Sequence, residues 1–429
     1  MPPSTDAGGA GLDEGHALAL DAADPLSGNR DRFLLPTADD GTPTVYLAGQ
    51  SLGAQPATAR AAVEAELDAW ARLGVDGWFA RERAWIESDD VLRESTARLV
   101  GARHAEVATL NTLTVNLHLL LATFFRPSGS RTAILIDAPT FPSDRYAVES
   151  QLRLHGLDPA RDLIVVRPRE GEALLRHEDI EGAIHEHRDR LAVALLAGVN
   201  YATGQVLDIA RLTAAVHAAG GVALWDLAHA TGNVALALHD AEVDAAAWCT
   251  YKYLNAGPGA IAQLFVHQRH ATDGATGRLN GWWGNDPATR FEMAETYAPA
   301  AGAAGWRIST PPILSLAPVG ASLSIFDEAG IDALRAKSMK LTAYLESLVD
   351  ALVPDAEILT PRAPAARGAQ LSLRIANAPR RLAALEAAGV IADFREPDII
   401  RMAPVPLYNT FHDAWRAARV LAETATPTR

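Results

Sequence analysis

Short apolar runs alternate with helix-like spacing through the middle of the chain. Continuous apolar runs predict six strands, over residues 107–110, 132–137, 163–166, 191–198, 222–226 and 245–250. Between most of them apolar residues recur every three or four positions, which predicts helices over 115–125, 179–190 and 209–219. Strands that are apolar throughout suit a sheet covered on both faces. The pattern therefore predicts an α/β fold with a mostly parallel central sheet flanked by helices, and the segment AIAQLFVH adds a strand of opposite direction.

The patterns on either side predict three parts of the chain. Residues 1–50 are expected to form an N-terminal arm, residues 51–317 a large domain built on the central sheet, and residues 318–429 a small α+β C-terminal domain. Beyond Pro318 the apolar spacing predicts one long helix to about Leu352, with Lys337 and Lys340 on its solvent-facing side.

Charge and composition exclude several classes of partner. Among 429 residues, 52 acidic side chains outnumber 38 basic ones, which gives a net charge of −14. Such a surface repels nucleic-acid phosphates and anionic lipid, so we expect neither nucleic acid nor membrane as a partner. The first residues lack the basic start and apolar stretch of a secretory signal, and the expected location is the cytoplasm. The single cysteine, Cys249, and the absence of a spaced His/Cys/Asp motif predict no metal site.

Lysine is rare in this chain and therefore informative. Only Lys252, Lys337 and Lys340 occur among the 38 basic residues; the others are arginine. Lys252 lies between apolar segments, directly after a predicted strand. An amine can lose its proton and attack a carbonyl, which a guanidinium cannot do. Lys252 is therefore a candidate for covalent chemistry, although a lone lysine at a strand end is more often a solvated charge.

Ligands of open α/β sheets bind beyond the carboxyl ends of the strands, so the residues that follow each strand are candidates. Thr112 and Thr114 follow the first strand and begin a helix whose free N–H groups suit a phosphate. Phe141 and Asp144 follow the second strand. Each feature alone also fits an ordinary helix cap or loop.

The last two strands of this region end in residues with complementary chemistry. Asp226 closes one strand, with His229 three positions on, and Tyr251 and Lys252 follow the next. Pyridoxal phosphate needs four parts: N–H groups that bind its phosphate, an aromatic side chain that stacks on its ring, an acid that pairs with the ring nitrogen, and an amine. Their combination on neighbouring strand ends predicts a site for this cofactor.

The same segments resemble the kynureninase family, the pyridoxal-phosphate hydrolases of tryptophan catabolism. The resemblance runs from about Val45 to near His412 through the motifs LTVNLHLLLATFF, FPSDRYAVESQLRLHGLD, GVNYATGQVLDI, DLAHATGNV, YKYLNAGPG, GWWGNDPATRFEM and APVPLYNTFHD. It implies the aspartate-aminotransferase-like fold, a homodimer with active sites shared between subunits, and the hydrolysis of L-kynurenine to anthranilate and L-alanine. Cleavage of 3-hydroxykynurenine and a supply of pyridine nucleotides are further implications.

The resemblance also implies a role for each matching residue. Lys252 matches the lysine that forms a Schiff base with the cofactor, Asp226 the partner of its ring nitrogen, and Tyr251 a candidate proton donor. The positions that match cofactor contacts are Leu113, Thr114, Phe141, Pro142, Ser143, Asp144, Asp226, His229, Tyr251, Lys252, Trp282 and Thr310. Trp282 and Thr310 are expected to reach the cofactor from the partner subunit.

Substrate contacts are implied at four positions, Trp78, Ser309, Thr310 and Arg401. Arg401 matches the arginine that binds the substrate α-carboxylate, for which a guanidinium is well suited. The chain departs from the family at Ala197, where a serine is common, at Thr310, often asparagine in animal relatives, and at Trp78, often histidine. The last two departures leave a 3-hydroxyl on the substrate ring without a polar partner, and we expect a preference for L-kynurenine.

Two alternatives stay open at this point. One is another pyridoxal-phosphate enzyme of the same fold, such as a cysteine desulfurase or a transaminase. A desulfurase needs a nucleophilic cysteine, whereas Cys249 lies in a predicted apolar strand. The other is a non-catalytic binding protein of this fold, which the presence of Lys252, Asp226 and Arg401 argues against.

Overall fold

A computed structural model describes residues 11–424 except 81, 83 and 272–276. The first ten residues of the predicted arm and the last five of the chain lie outside the described residues. The described strands, in chain order, are β1 Phe33–Leu34, β2 Val45–Tyr46, β3 Gln55–Pro56, β4 Val107–Thr109, β5 Ala133–Asp137, β6 Leu163–Val166, β7 Leu191–Ala197, β8 Val222–Asp226, β9 Ala245–Trp248, β10 Gln263–Val266, β11 Ala356–Ile358, β12 Leu371–Ile375, β13 Val390–Ile391, β14 Asp393–Arg395 and β15 Ile399–Met402.

Helices cover both faces of the main sheet and much of the rest of the chain. The described α-helices are α1 Glu14–Ala22, α2 Ala59–Leu73, α3 Arg93–Val100, α4 Leu113–Phe124, α5 Pro142–Leu154, α6 Pro159–Asp162, α7 His177–Glu186, α8 Ile209–Ala218, α9 Gln268–Ala271, α10 Ile313–Ala329, α11 Ile331–Leu352, α12 Ala378–Ala387 and α13 Phe411–Glu423. None of these has the length and apolar character needed to cross a membrane.

The main sheet has seven strands in the order β4-β10-β9-β8-β7-β5-β6. β10 runs antiparallel to both β4 and β9, while the remaining neighbours pair in parallel. The predicted α/β fold with a mostly parallel sheet and one reversed strand is therefore confirmed. The carboxyl ends of every strand except β10 lie at one edge, which makes that edge the place for a ligand.

Alternation of side chains along the strands builds a core on each face of the sheet. Leu224 joins the apolar cluster on one face and Trp225 the cluster on the other. Helix α10 adds Leu316 and Phe326 to the cluster that contains Trp225. Helices α4 and α5 cover the opposite face. With both faces buried, the strands read as continuous apolar runs in the sequence.

A second sheet, in the order β11-β12-β15-β14, lies in the C-terminal part of the chain. It packs with α11 and α13 around a separate apolar cluster that includes Leu345 and Met402. Ala17 of α1 and Val45 of β2 join this cluster, so the N-terminal arm packs against the C-terminal part. The three-part division of the chain stays a prediction.

The single long helix predicted beyond Pro318 was wrong. The segment forms two helices, α10 and α11, which meet at Gly330, where φ is +75°. Glycine adopts this backbone conformation without the steric cost that a side chain brings. Pro318 lies inside α10 rather than before the helix.

The expected exposure of Lys337 was also wrong. Its side chain is buried, and Nζ lies 2.7 Å from Oδ2 of Asp24, which is itself buried. Lys340, one turn further along α11, is exposed as predicted. The N-terminal arm supplies the carboxylate that makes burial of the Lys337 charge possible, and no local periodicity in the sequence signals such a partner.

Candidate active site

A cavity of about 220 Å³ lies at the carboxyl ends of β4, β5, β7, β8 and β9. Its walls come from the residues that follow these strands, as expected for a parallel sheet. The lining residues are Thr112, Leu113, Thr114, Pro139, Phe141, Ser143, Asp144, Ala197, Val199, Tyr201, Asp226, His229, Tyr251 and Lys252.

Lys252 is buried, with its amine held inside the cavity. Nζ lies 2.9 Å from Nε2 of His229 and 5.6 Å from the centre of the Phe141 ring. Burial lowers the pKa of His229 well below its ordinary value, and the positive charges of Lys252 and Arg401 lower it further. The imidazole is therefore neutral at pH 7, and its Nε2 accepts the hydrogen bond from the amine.

Two buried carboxyl groups, Asp144 and Asp226, make one wall of the site acidic, and a third, Asp137, is buried nearby. Asp226 accepts a 2.8 Å hydrogen bond from the Ala228 N–H at the end of β8. Burial, and next the negative charge of Asp226, raise the pKa of Asp144 well above its ordinary value. Burial also raises the pKa of Asp137 to about 6, although the Ala197 N–H donates to it at 3.0 Å. A protonated ring nitrogen is a suitable ligand for such a wall.

The beginning of α4 forms another wall of the cavity. Thr112 is the N-cap residue in extended conformation, and Leu113 and Thr114 open the first turn. The Thr112 side chain makes no capping hydrogen bond, and N–H groups of a first helical turn have no acceptor within the helix. With the positive end of the helix dipole, these donors suit a phosphate. The residues present thus fit a phosphorylated pyridine aldehyde: donors at α4, the Phe141 ring, Asp226 and the Lys252 amine.

Arg401 lies directly behind the cavity wall and is fully buried. Its Nη1 donates to the carbonyl oxygen of Tyr201 at 2.6 Å, and the Tyr201 side chain lines the cavity and contacts the Phe141 ring. Its Nη2 lies 2.5 Å from Oδ2 of Asp393, whereas Nε is buried without a hydrogen-bond partner. An unpaired N–H of a buried guanidinium is a candidate donor for an incoming carboxylate.

The remaining predicted residues lie outside this cavity. Trp78 packs edge-on against Trp85 and Trp283, with ring centres 5.6 and 5.7 Å apart. Trp282 is half-exposed and donates through Nε1 to the carbonyl oxygen of Arg290 at 3.1 Å. Ser309 and Thr310 are exposed on an irregular segment, and Pro142 is the first residue of α5.

Sequence reasoning missed some residues of the site. Tyr201 and Val199 line the cavity from the loop after β7, in the motif GVNYATGQ, which was noted only as a resemblance. Asp393 was missed because nothing in its sequence neighbourhood signals a partner eight residues away. Cys249 is buried at the end of β9, and burial raises the pKa of its thiol, so it does not suit the nucleophilic role of a desulfurase cysteine.

A second group of polar side chains, Glu106, His239 and His267, lies away from the cavity with potential ligand atoms within 4.8 Å of one another. The two imidazole rings are stacked, with centres 4.8 Å apart and an angle of 11° between planes. Because the lone pair of a ring nitrogen lies in the ring plane, two parallel stacked rings cannot both aim at one ion. The Glu106 carboxylate instead accepts hydrogen bonds from the backbone N–H groups of Arg103 and Gln268.

Known proteins resemble this chain over nearly its whole length. A sequence model described as the kynureninase C-terminal domain matches residues 334–421. A kynureninase of Salinispora tropica is 52% identical over 421 residues, covering 96% of this chain and 97% of that protein. A kynureninase of Myxococcus xanthus is 51% identical over 411 residues, covering 95% and 96%.

Solved structures share the fold at much lower identity. A mutant of C-DES with glycine covalently linked to the PLP cofactor is 17% identical with a TM-score of 0.75, and covers 88% of this chain and 96% of that chain. The cysteine desulfurase CsdA of Escherichia coli is 16% identical with a TM-score of 0.75, covering 93% and 98%. At this identity the likeness indicates the fold alone, which is that of pyridoxal-phosphate enzymes.

Proposed function

The chain belongs to the kynureninase family, and we propose that the cavity around Lys252 is where it hydrolyses L-kynurenine to anthranilate and L-alanine. The observation that carries the assignment to this cavity is the buried Lys252 amine, below Phe141 and beside Asp226 at the next strand end. The reaction belongs to tryptophan catabolism. The cytoplasmic location stays a prediction.

Pyridoxal 5'-phosphate is the cofactor of this reaction, and when bound it supplies an aldehyde for an amine and a ring that accepts electrons. The N-terminus of α4 would hold the phosphate through the N–H groups of Leu113 and Thr114. Phe141 would stack on the ring, and Asp226 would pair with the ring nitrogen. Burial raises the pKa of Asp144 well above its ordinary value, which reduces the negative charge that this side chain adds beside Asp226.

Lys252 performs two tasks in this proposal. Its amine would tether the cofactor, and once free of that tether the same amine would serve as the base that takes the substrate Cα proton. His229 steadies it, because the neutral imidazole can accept a hydrogen bond from Nζ at 2.9 Å without adding a positive charge beside the amine.

Tyr251 is the proton donor of this proposal. Its side chain lines the cavity next to Lys252, and burial raises the pKa of the phenol, so it stays protonated at neutral pH. A phenol held in this form can return a proton to the carbon from which anthranilate has left. Arg401 anchors the α-carboxylate and so fixes the orientation of the bond that breaks.

A homodimer with shared active sites completes the proposal. Trp282 and Thr310, the two positions expected to reach the cofactor, lie outside the cavity of their own chain. Large apolar side chains are exposed around them, which favours a covering partner. These side chains are Leu67, Trp70, Val75, Phe79, Leu279, Trp282, Phe291, Met293 and Leu314. A second copy seated on this surface would bring Trp282 and Thr310 to the neighbouring cavity.

Mixing two inactive variants tests the shared site. Lys252→Ala lacks the amine and Trp282→Ala lacks the indole, but a mixed dimer contains one site with both groups. We expect co-expression to restore up to about a quarter of wild-type turnover, because half the dimers are mixed and half their sites are intact. If sedimentation shows a dimer but co-expression restores no activity, the two subunits do not share active-site residues. If sedimentation shows a monomer, the proposed homodimer is contradicted.

The activity is tested by fluorescence of anthranilate after L-kynurenine is added to the purified protein loaded with cofactor. Lys252→Ala serves as the inactive control, since it leaves the rest of the cavity in place. A transaminase would consume the substrate without releasing anthranilate, so the same assay separates the two reactions. Anthranilate formed equally by wild type and Lys252→Ala would contradict the assignment of the cavity.

A further inference from the structure

We propose that Asp393 sets the affinity for substrate by competing with its α-carboxylate for Arg401. The inference rests on the proposed role of Arg401 as the carboxylate anchor. Asp393 is then a residue that tunes binding, and it takes no part in bond breaking.

The two side chains face each other on neighbouring strands of the C-terminal sheet. Asp393 of β14 is the register partner of Arg401 of β15. Oδ2 of Asp393 lies 2.5 Å from Nη2 of Arg401. The hydroxyl of Ser51 donates to the same oxygen and also accepts from Nη2 at 3.1 Å. The carboxylate is thus bound to the guanidinium much as a ligand would be.

The contact of Asp393 with the guanidinium determines which N–H groups of Arg401 are available to a substrate carboxylate. Nη1 is engaged by the Tyr201 carbonyl oxygen, and Nε is buried without a hydrogen-bond partner. Nε and one N–H of Nη2 lie along the same edge of a guanidinium, and a bidentate carboxylate uses such an edge. Nη2 donates to Asp393 and to the Ser51 hydroxyl, so a substrate carboxylate that binds along this edge must compete with Asp393 for Nη2 or accept a single hydrogen bond from Nε beside a like charge.

Arg395 gives the displaced carboxylate a second partner. Its Nη1 lies 3.1 Å from Oδ1 of Asp393, its Nη2 donates to Oδ2 at 3.3 Å, and its side chain is partly exposed. When Asp393 releases Arg401, it can keep the Arg395 contact, so that no buried carboxylate is left unpaired. The affinity for substrate therefore depends on the difference in free energy between the pairing of Arg401 with the substrate carboxylate and its pairing with Asp393.

Asp393→Asn isolates the charge, because the amide keeps the size of the side chain and an oxygen that accepts from Arg401. We expect the KM for L-kynurenine to fall by about threefold or more while kcat stays within about twofold. The inhibition constant for the product L-alanine should fall by a similar factor. The inhibition constant for L-alaninamide, which lacks the carboxylate, should not change.

The matched control is Glu357→Gln, an acid-to-amide change beside Arg374 on the same sheet, at 2.7 Å and exposed. It should leave both inhibition constants unchanged. Arg395→Gln provides the opposite test, since loss of the second partner strengthens the hold of Asp393 on Arg401. This variant should raise the KM in the wild-type background and have no effect in the Asp393→Asn background.

A raised KM in Asp393→Asn, or equal changes for alanine and alaninamide, would overturn the inference. Should Asp393→Asn fail to fold, as judged by its thermal unfolding, a KM of Arg395→Gln that is unchanged or lowered would overturn it instead. Turnover of L-kynurenine by the wild type is measured first. Its absence would reject the proposed function, whereas normal turnover with an unaltered KM in both variants rejects this inference alone.

Discussion

The amine of Lys252 and Nε2 of His229 lie 2.9 Å apart, with both side chains buried. His229 follows β8 and Lys252 follows β9, so the contact joins two neighbouring strand ends. Since burial and nearby cations lower the pKa of His229, the imidazole does not compete with the amine for a proton at pH 7. The contact therefore holds the amine in the cavity and leaves it available for the cofactor.

Replacement of Lys252 by alanine is expected to lower the kcat for L-kynurenine by about a thousandfold or more, because both the tether and the nearest base are lost. The visible absorption of cofactor bound through lysine should disappear as well. Stopped assays and absorption spectra measure both effects. Lys340→Ala, at an exposed position, is the matched control and should behave as wild type.

Asp226→Asn keeps the shape of the side chain but removes its charge. We expect kcat to fall by about a hundredfold or more, since the charge that stabilises the protonated ring nitrogen is lost. The cofactor should still attach to Lys252, which absorption spectra can verify. Turnover close to wild type would place the partner of the ring nitrogen elsewhere.

The preference for L-kynurenine over 3-hydroxykynurenine is a third prediction. An unpaired buried hydroxyl costs about 1–3 kcal/mol, so the ratio of kcat/KM should favour L-kynurenine by about five- to 150-fold. Combining Trp78→His with Thr310→Asn supplies polar partners and should reduce that ratio. Comparable kcat/KM for the two substrates in the wild type would contradict the hypothesis.

Asp137 predicts a pH-dependent stability of the cofactor-free protein. Its pKa rises from 3.8 to about 6 on folding, chiefly through burial. The folded state thus favours the protonated carboxyl, and its contribution to stability, on the order of 3 kcal/mol, is full below pH 3.8 and lost as the pH rises through 6. Asn at position 137 cannot titrate. The thermal unfolding midpoint of Asp137→Asn should therefore rise relative to that of the wild type as the pH increases from 4 to 7. Parallel curves would contradict this assignment.

The buried pair of Lys337 and Asp24 is expected to matter for stability. Loss of one partner leaves a buried charge uncompensated, so Asp24→Asn should lower the free energy of unfolding by about 3 kcal/mol. Replacing both residues, as Lys337→Met with Asp24→Leu, should recover part of the loss. Chemical denaturation compares the variants, and an unchanged midpoint for Asp24→Asn would reject the prediction.

Much of the large sheet could be predicted because its strands are buried on both faces. The apolar runs at 163–166 and 222–226 coincide with β6 and β8, and the reversed strand appears as β10. The strand order could not be predicted, since it depends on which crossovers pack best over the sheet. A local pattern contains no information about that choice.

In the candidate site, too, some features could be predicted from the sequence and others could not. Lys252, Asp226 and Phe141 could be found because each follows a recognisable strand, and parallel strands bring such residues together. The pairing of Asp393 with Arg401 and the burial of Lys337 against Asp24 depend on contacts between distant segments. A charged side chain has the same appearance in the sequence whether it lies in solvent or in an ion pair.

The scarcity of lysine has a practical consequence for measurement. Lys337 is shielded by Asp24, and Lys252 lies in the cavity where the cofactor would cover it, so Lys340 is the one exposed lysine. An acylating label would therefore encounter few competing side-chain amines. The mass added at Lys252 with and without vitamin B6 aldehyde would directly report how far the aldehyde occupies the cavity, because few other side-chain amines would be labelled.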